Sequence, residues 1–225
     1  VTWENYVSLF KVLPFGRYFQ NSMIVASVTS LLAILISISA AYSVSRFRFV
    51  GKNLVMILLL SIHMFPAVLL LIPLFIIMHK LGLLDTHLSL IIAYSTYAIP
   101  FSAWMLTGFF NSIPNELEEA AMVDGCTREG AFVRVILPLA APAIAATIIY
   151  VFIYAWNEFT FAAIFSQSTV SRTLPVGLNT LIGQYVIQWG LLTAGGVVTS
   201  IPVVALFMLI QRYLIEGLTA GAVKG

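Results

Sequence analysis

An all-α, polytopic membrane helix bundle is the fold this sequence predicts. Only 9% of its 225 residues are charged and 60% are hydrophobic, and the mean hydropathy is +1.01. A soluble domain carries about a quarter charged residues, so this composition suits lipid as its solvent. Five apolar stretches, 22–45, 54–78, 88–110, 140–165 and 191–211, are each long enough to serve as a span, which takes about 20 residues to cross roughly 30 Å of hydrocarbon. Backbone amides in lipid must be satisfied within their own segment, and the alternation of barrel strands is absent, so all five are expected as helices. Residues 1–225 are expected as a single transmembrane domain.

The segment before the first span, 1–21, is mixed and polar and lacks the basic head and apolar run of a secretory signal. The chain opens on Val1 rather than Met, and it is expected to begin inside a longer gene product. On the first span Ala33, Ser37 and Ala41 form a row of small residues that lets a neighbouring backbone approach closely. Gly196 and Ser200 repeat that spacing on the last span, and close packing within one subunit is the commoner use of such rows. Pro66 and Pro73 interrupt the second span, and each removes a helical hydrogen bond and invites a kink.

Basic residues set the orientation. Arg46, Arg48 and Lys52 follow the first span and put that connection in the cytoplasm; Arg128, Arg134, Arg212 and Lys224 fall on the same side by parity. Lys11, Arg17, Lys80 and Arg172 fall outside, a bias of seven to four. The amino end is therefore expected outside and the carboxyl end in the cytoplasm.

Several function classes are disfavoured. The net charge is +2 with scattered basic residues, unlike the basic patch of a nucleic-acid binder. Cys126 is the lone cysteine, which excludes an intrachain disulfide and a cysteine zinc cluster. His79 and His87 lack metal-ligand spacing, and no metal is expected. His63, in the second span, reads as a packed, hydrogen-bonded histidine. There is no G-x-x-x-x-G-K-[ST] loop, so the chain is not itself an ATPase. Neither Gly-x-Ser-x-Gly nor His-Glu-x-x-His is present, which argues against an intramembrane hydrolase and leaves no catalytic residue to name. An ion-gradient-driven carrier would carry an internal repeat and broken helices in both halves, and neither is legible here.

The stretch 111–138 is the least membrane-like long segment. Pro114 suits the first position of a helix, and Glu116, Glu118 and Glu119 suit its positive end. Gly125 offers a left-handed stop, and Thr127 can cap a second short helix. There Ala131, Phe132, Val135 and Ile136 recur at helical spacing until Leu137-Pro138 closes it. The expected element is a cytoplasmic helix–turn–helix with its apolar ridge available to a partner.

Glu119-Ala120-Ala121, three residues, Gly125, nine residues, then Val135-Ile136-Leu137-Pro138 resembles the signature loop of binding-protein-dependent ATP-binding-cassette import permeases. The family pattern has Ile where this chain has Val135, a departure that keeps the β-branched apolar character. The resemblance implies a type I permease fold in a bacterial plasma (inner) membrane. It implies that the loop couples to an ATPase subunit through Glu119, Ala120, Ala121, Asp124, Gly125, Leu137 and Pro138. No cofactor is then expected on this chain, and ATP and Mg belong to the partner ATPase. The implied partners are a second permease in a heterodimer, two ATP-binding subunits and an extracellular or periplasmic sugar-binding protein, with no nucleic acid.

The stretches 14–21, 40–52 (AAYSVSRFRFVGK) and Ala155-Trp156-Asn157-Glu158-Phe159 are similar to carbohydrate permeases of the maltose type, as is the ending Gln211-Arg212-Tyr213 with Gly217 through Gly225. Members of that group have one further span before this start, which implies six spans in the intact subunit. A disaccharide or oligosaccharide is the implied solute, with glycerol phosphate or another small polar solute as the alternative. In the same group the outer connection 166–190 reaches toward the binding protein. The sequence alone reads it as an exposed, partly helical, amphipathic loop.

Glu158 is the clearest ionisable residue within a span, and a charge at the bilayer centre costs roughly 2.5–3.5 kcal/mol unless it faces protein or water. With Trp156 and Asn157 it suits a sugar path or gate, since aromatic faces stack on sugar rings and amides bond hydroxyls. An interhelical hydrogen bond that fixes packing is the equal alternative. Tyr94 is a further path candidate and Tyr97 a weaker one, packing or interfacial tyrosines being commoner.

Overall fold

The computed structural model describes residues 3–183 and 185–222, with backbone alone at 210 and 212–222. The tail residues 223–225, including Lys224, and the side chain of Arg212 lie outside what is described.

A short helix α1 (Glu4–Val12) leads through Pro14 into α2 (Phe15–Arg46), which runs 32 residues because no proline or glycine interrupts it after Gly16. Next come α3 (Lys52–Met64), α4 (Ala67–Lys80) and α5 (His87–Ser112), the last capped by the Thr86 hydroxyl, which accepts from the Ser89 amide at 3.3 Å. Then follow α6 (Asn115–Val123), α7 (Arg128–Ala131), a π turn (Phe132–Ile136), α8 (Leu137–Leu139) and α9 (Ala141–Asn157). The chain closes with α10 (Thr160–Phe165), α11 (Leu174–Asn179) and α12 (Trp189–Ala222). Among the described residues three helices are long and apolar enough to cross a membrane alone, and the number is up to five if each of two bent pairs is one span.

The small residues of α2 form its packing seam. Ala33, Ser37 and Ala41 are wholly buried, and the Ser37 hydroxyl donates to the Ile99 carbonyl of α5 at 3.1 Å. This row therefore serves packing within the subunit. Gly196 behaves otherwise: nothing stands within 4 Å of where its Cβ would be.

Two spans are broken outright, one of them the second span, where a kink is expected from its prolines. The span 54–78 breaks at Phe65-Pro66, where α3 and α4 meet at 96°. Pro66 drives Phe65 into extended backbone (ψ 129°), as a residue before proline prefers, whereas Pro73 sits inside α4 without ending it. The span 140–165 breaks at Glu158-Phe159 into α9 and α10. Broken helices are thus present in both halves, and of the two breaks the sequence did not reveal the one at Glu158. Leu137-Pro138 also does not close its helix. The π turn widens the coil ahead of Pro138 and helix continues to Leu139, before a 71° bend into α9.

Two ends of the bundle are defined by polar contacts. At one, Asp85 Oδ1 accepts from the amides of Gln167 and Ser168, each at 2.9 Å, and from the Ser171 hydroxyl. The Asn21 amide donates to the Arg172 carbonyl at 2.8 Å at the same end. The connection after α10 is therefore not a free loop: Leu174 and Leu181 are buried, and a Cβ on Gly177 would stand 2.2 Å from the Tyr18 ring. At the other end Arg46, closing α2, meets the start of α6. The basic stretch after the first span and the segment 111–138 share that end, as expected.

Candidate functional site

The segment 111–138 folds as a helix, a tight turn and a second helix, with differences in detail. Pro114 stands one residue before α6, in extended backbone (ψ 136°), rather than as its first turn. The α6 C-terminus closes with paired reverse bonds, Gly125 N to Met122 O at 3.1 Å and Cys126 N to Ala121 O at 3.0 Å. That closure requires the left-handed φ of +93° at Gly125. The Thr127 hydroxyl then caps α7, accepting from the Gly130 amide at 3.1 Å.

The apolar ridge turns inward. Ala131 and Ile136 are fully buried, and Ile136 with Phe132 joins Ile34, Leu106 and Phe110 in one apolar cluster. The expectation that this ridge is free for a partner is overturned, because the Arg46 end of the bundle needs those side chains to complete its core. What α6 and its turn leave exposed instead is Leu117, Glu119, Ala120, Val123, Asp124 and Gly125, with Ala121 half-buried. Pro138 is exposed and Leu137 half-buried.

Glu118, which the sequence offered only as a helix-dipole partner, is the sole buried residue of α6. Its carboxylate lies 3.1 Å from Arg46 Nε and 3.8 Å from Arg128 Nε. The Tyr42 hydroxyl donates to the same carboxylate at 2.6 Å. Tyr42 is 76 positions earlier in the chain, so no local pattern in the sequence points to this cluster.

At the other candidate site, a cavity of about 520 Å³ is lined by Tyr150, Ile153, Tyr154, Asn157, Glu158, Phe159 and Thr160. The break after Asn157 creates it, by letting Glu158 turn back onto the start of α10. Its two carboxylate oxygens accept from the amides of Phe161 at 2.9 Å and Ala162 at 3.2 Å. Tyr94 is fully buried, and its hydroxyl makes no hydrogen bond to that carboxylate among the described residues. Asn157 lies exposed at the cavity, whereas Trp156 points the opposite way. Trp156 is 1% exposed, stacks on Phe152 at 5.6 Å and donates its indole N–H to the Thr199 carbonyl at 3.2 Å.

Tyr150 and Tyr154, which sequence reading missed, precede Asn157 by one helical stripe (i, i+4, i+7), and that spacing is the signal that would have found them. The stripe continues across to α5, where Phe101 lies 4.3 Å from Tyr150 by ring centroids and 5.9 Å from Trp104. His63 sits 5.2 Å from Phe101, one residue before the end of α3. An aromatic face thus joins the two broken spans.

Residues 33–219 match the family described as binding-protein-dependent transport system inner membrane component. The chain is 42% identical over 226 residues to the inner membrane ABC transporter permease protein YcjP of Escherichia coli strain K12, covering 100% of this chain and 81% of that one. It is 42% identical over 227 residues to the trehalose/maltose transport system permease protein MalG of Thermococcus litoralis, covering 100% and 82%. Among solved structures, a chain of a bacterial ABC transporter involved in import of the acidic polysaccharide alginate superposes with a TM-score of 0.80 at 22% identity, over 95% of this chain and 80% of that one. At that identity the likeness is one of fold.

Proposed function

The chain belongs to the binding-protein-dependent transport system inner membrane component family, and from that premise we propose that it forms half of the translocation path of an ATP-driven sugar importer. It is a multi-pass inner-membrane transport subunit of an importer that works with a binding protein. In the finer reading, its amino end is outside and its carboxyl end cytoplasmic. It pairs with a second permease and with two ATP-binding subunits, and ATP and Mg are bound and ATP is hydrolysed on those subunits.

The observation that carries this reading is the exposed surface of α6 and its turn. Glu119, Ala120, Asp124 and Gly125 stand outward at the Arg46 end, within the stretch that resembles an ATPase-docking loop. Small side chains and a tight closure suit close approach by a partner cleft. Leu137 and Pro138 border the same end.

The cavity at Glu158 supports the path. Non-helical backbone at membrane depth is tolerated where it lines protein or water, and both broken spans meet the aromatic face described above. Tyrosines, an asparagine and a threonine suit the rings and hydroxyls of a sugar. Among the described residues of the lining Glu158 is the only carboxylate and there is no Lys or Arg to balance an anion, so a neutral sugar fits better than glycerol phosphate. Glu158 edges the path and holds it open by capping α10; Tyr94 and Trp156 support it from behind.

Reconstitution with the cognate ATPase pair, second permease and binding protein tests this directly. ATP-dependent uptake of a labelled neutral disaccharide is expected, with glycerol phosphate taken up poorly, and Glu119→Lys is expected to lower the amount of ATPase that co-purifies. Uptake that persists without the ATP-binding subunits, driven by an ion gradient, would refute the reading.

A further inference from the structure

Apart from Glu118, α6 buries no side chain. Its direct side-chain hold on α2 is therefore polar, while the π turn that it packs against supplies the apolar contacts. Arg46 supplies most of that polar hold, reaching three points around the start of α6 from the last turn of α2. One terminal nitrogen donates to Asn115 Oδ1 at 2.6 Å, the other donates to the Ile113 carbonyl at 3.1 Å, and Nε faces Glu118 at 3.1 Å. Arg46 and Glu118 side chains are 7% and 6% exposed. The Arg128 guanidinium, itself half exposed, adds a weaker contact to the carboxylate and lies 5.3 Å over the Phe47 ring.

A planar guanidinium held by two hydrogen bonds and one ion-pair contact fixes position and rotation together, which an apolar contact or an ammonium does not. A buried ion pair is seldom more stabilising than a well-packed apolar pair, yet breaking one is costly. Such a group in this place is better explained by the geometry it enforces than by stability. Arg46 also closes α2, which packs against both α5 and α9, two helices that carry the aromatic face.

We infer that Arg46 and Glu118 act as positioning residues, a clamp through which displacement of α6 moves α2 as one body. This rests on the docking role proposed for the exposed α6 surface. The clamp lies on the inward side of α6 and touches none of Glu119, Ala120, Asp124 or Gly125, so it governs coupling and leaves docking alone.

The test uses the reconstituted full transporter with three readouts: ATPase co-purified, ATP hydrolysed with loaded binding protein, and sugar taken up per ATP. Glu118→Gln keeps an acceptor for Tyr42 but loses the ion pair. Arg46→Lys keeps charge but cannot make both hydrogen bonds and the ion pair at once. Both are expected to retain the ATPase and to hydrolyse ATP, while uptake per ATP falls by about tenfold, a size common for coupling between sites. Reversing the pair (R46E with E118R) is expected to recover part of that loss relative to either reversal alone. Wild-type uptake per ATP in Glu118→Gln and Arg46→Lys overturns the clamp. Should Glu118→Gln fail to assemble, Arg46→Lys and Tyr42→Phe decide in the same way. Glu119→Lys separates the two ideas: if it holds the ATPase normally, the docking reading fails, and if it loses the ATPase while Glu118→Gln couples normally, only the clamp fails.

Discussion

Replacing Gly125 by valine perturbs the coupling turn at a point where the structure isolates one cause. Its φ of +93° lies in the region that L side chains rarely adopt, yet a Cβ there would meet nothing within 4 Å. Steric clash is therefore absent, and the cost is backbone strain alone, of order 1–3 kcal/mol for a β-branched residue. Relief by rotating the residue out of that region would break the 3.0 Å bond from Cys126 N to Ala121 O and swing α7 relative to α6. Since about 1.4 kcal/mol is a factor of ten in an equilibrium, the docking-competent turn should be depleted by roughly one to two decades. ATPase retention and uptake in vesicles should fall with it, while sugar affinity of the isolated binding protein stays unchanged. Gly125→Asn should be milder, because asparagine enters the left-handed region more readily. Gly125→Val with wild-type ATPase retention and uptake would refute the reasoning.

Acid should also act at the opposite end. Burial raises the Asp85 carboxyl, but the Ser168 amide, the Ser171 and Ser168 hydroxyls and the Gln167 amide outweigh it and hold the group down at about 2, below its ordinary 3.8. Depressed in the fold, it contributes stability that is present above about pH 4 and lost as pH falls through about 2. Solvent screening limits this to under about 1 kcal/mol, visible as faster proteolysis of 166–173 in detergent at low pH, and flattened in Asp85→Asn. Single cysteines at 52 and 80, at the two far ends of the bent pair of α3 and α4, should be labelled from opposite sides of the membrane; labelling of both from one side would break the proposed topology.

Much of the fold was legible because lipid imposes a one-dimensional rule. A segment of sufficient length and apolarity has to be helical, so the helical character of the five apolar stretches follows from counting. The turn at Gly125 and the cap at Thr127 were equally readable, since each is decided by a residue's own backbone preference within a few positions. The inward turn of Ala131 and Ile136 was not, because an apolar ridge fits a core or a partner equally well until neighbouring helices are in place. The orientation of Trp156 away from Asn157 needed the helix phase relative to α12, which composition does not carry.

By itself, then, the sequence determined solvent, the helical character of the apolar segments, the signature turn and the family it resembles, all of them properties of contiguous residues. Tertiary structure alone decided where the spans break in space, that Tyr150 and Tyr154 join Glu158 in one cavity, and that Glu118 is held by Arg46 and Tyr42. Those are meetings between distant segments. The energy that selects them, desolvation of a carboxylate balanced by a guanidinium and a hydroxyl, exists only once helix packing has removed the water between them.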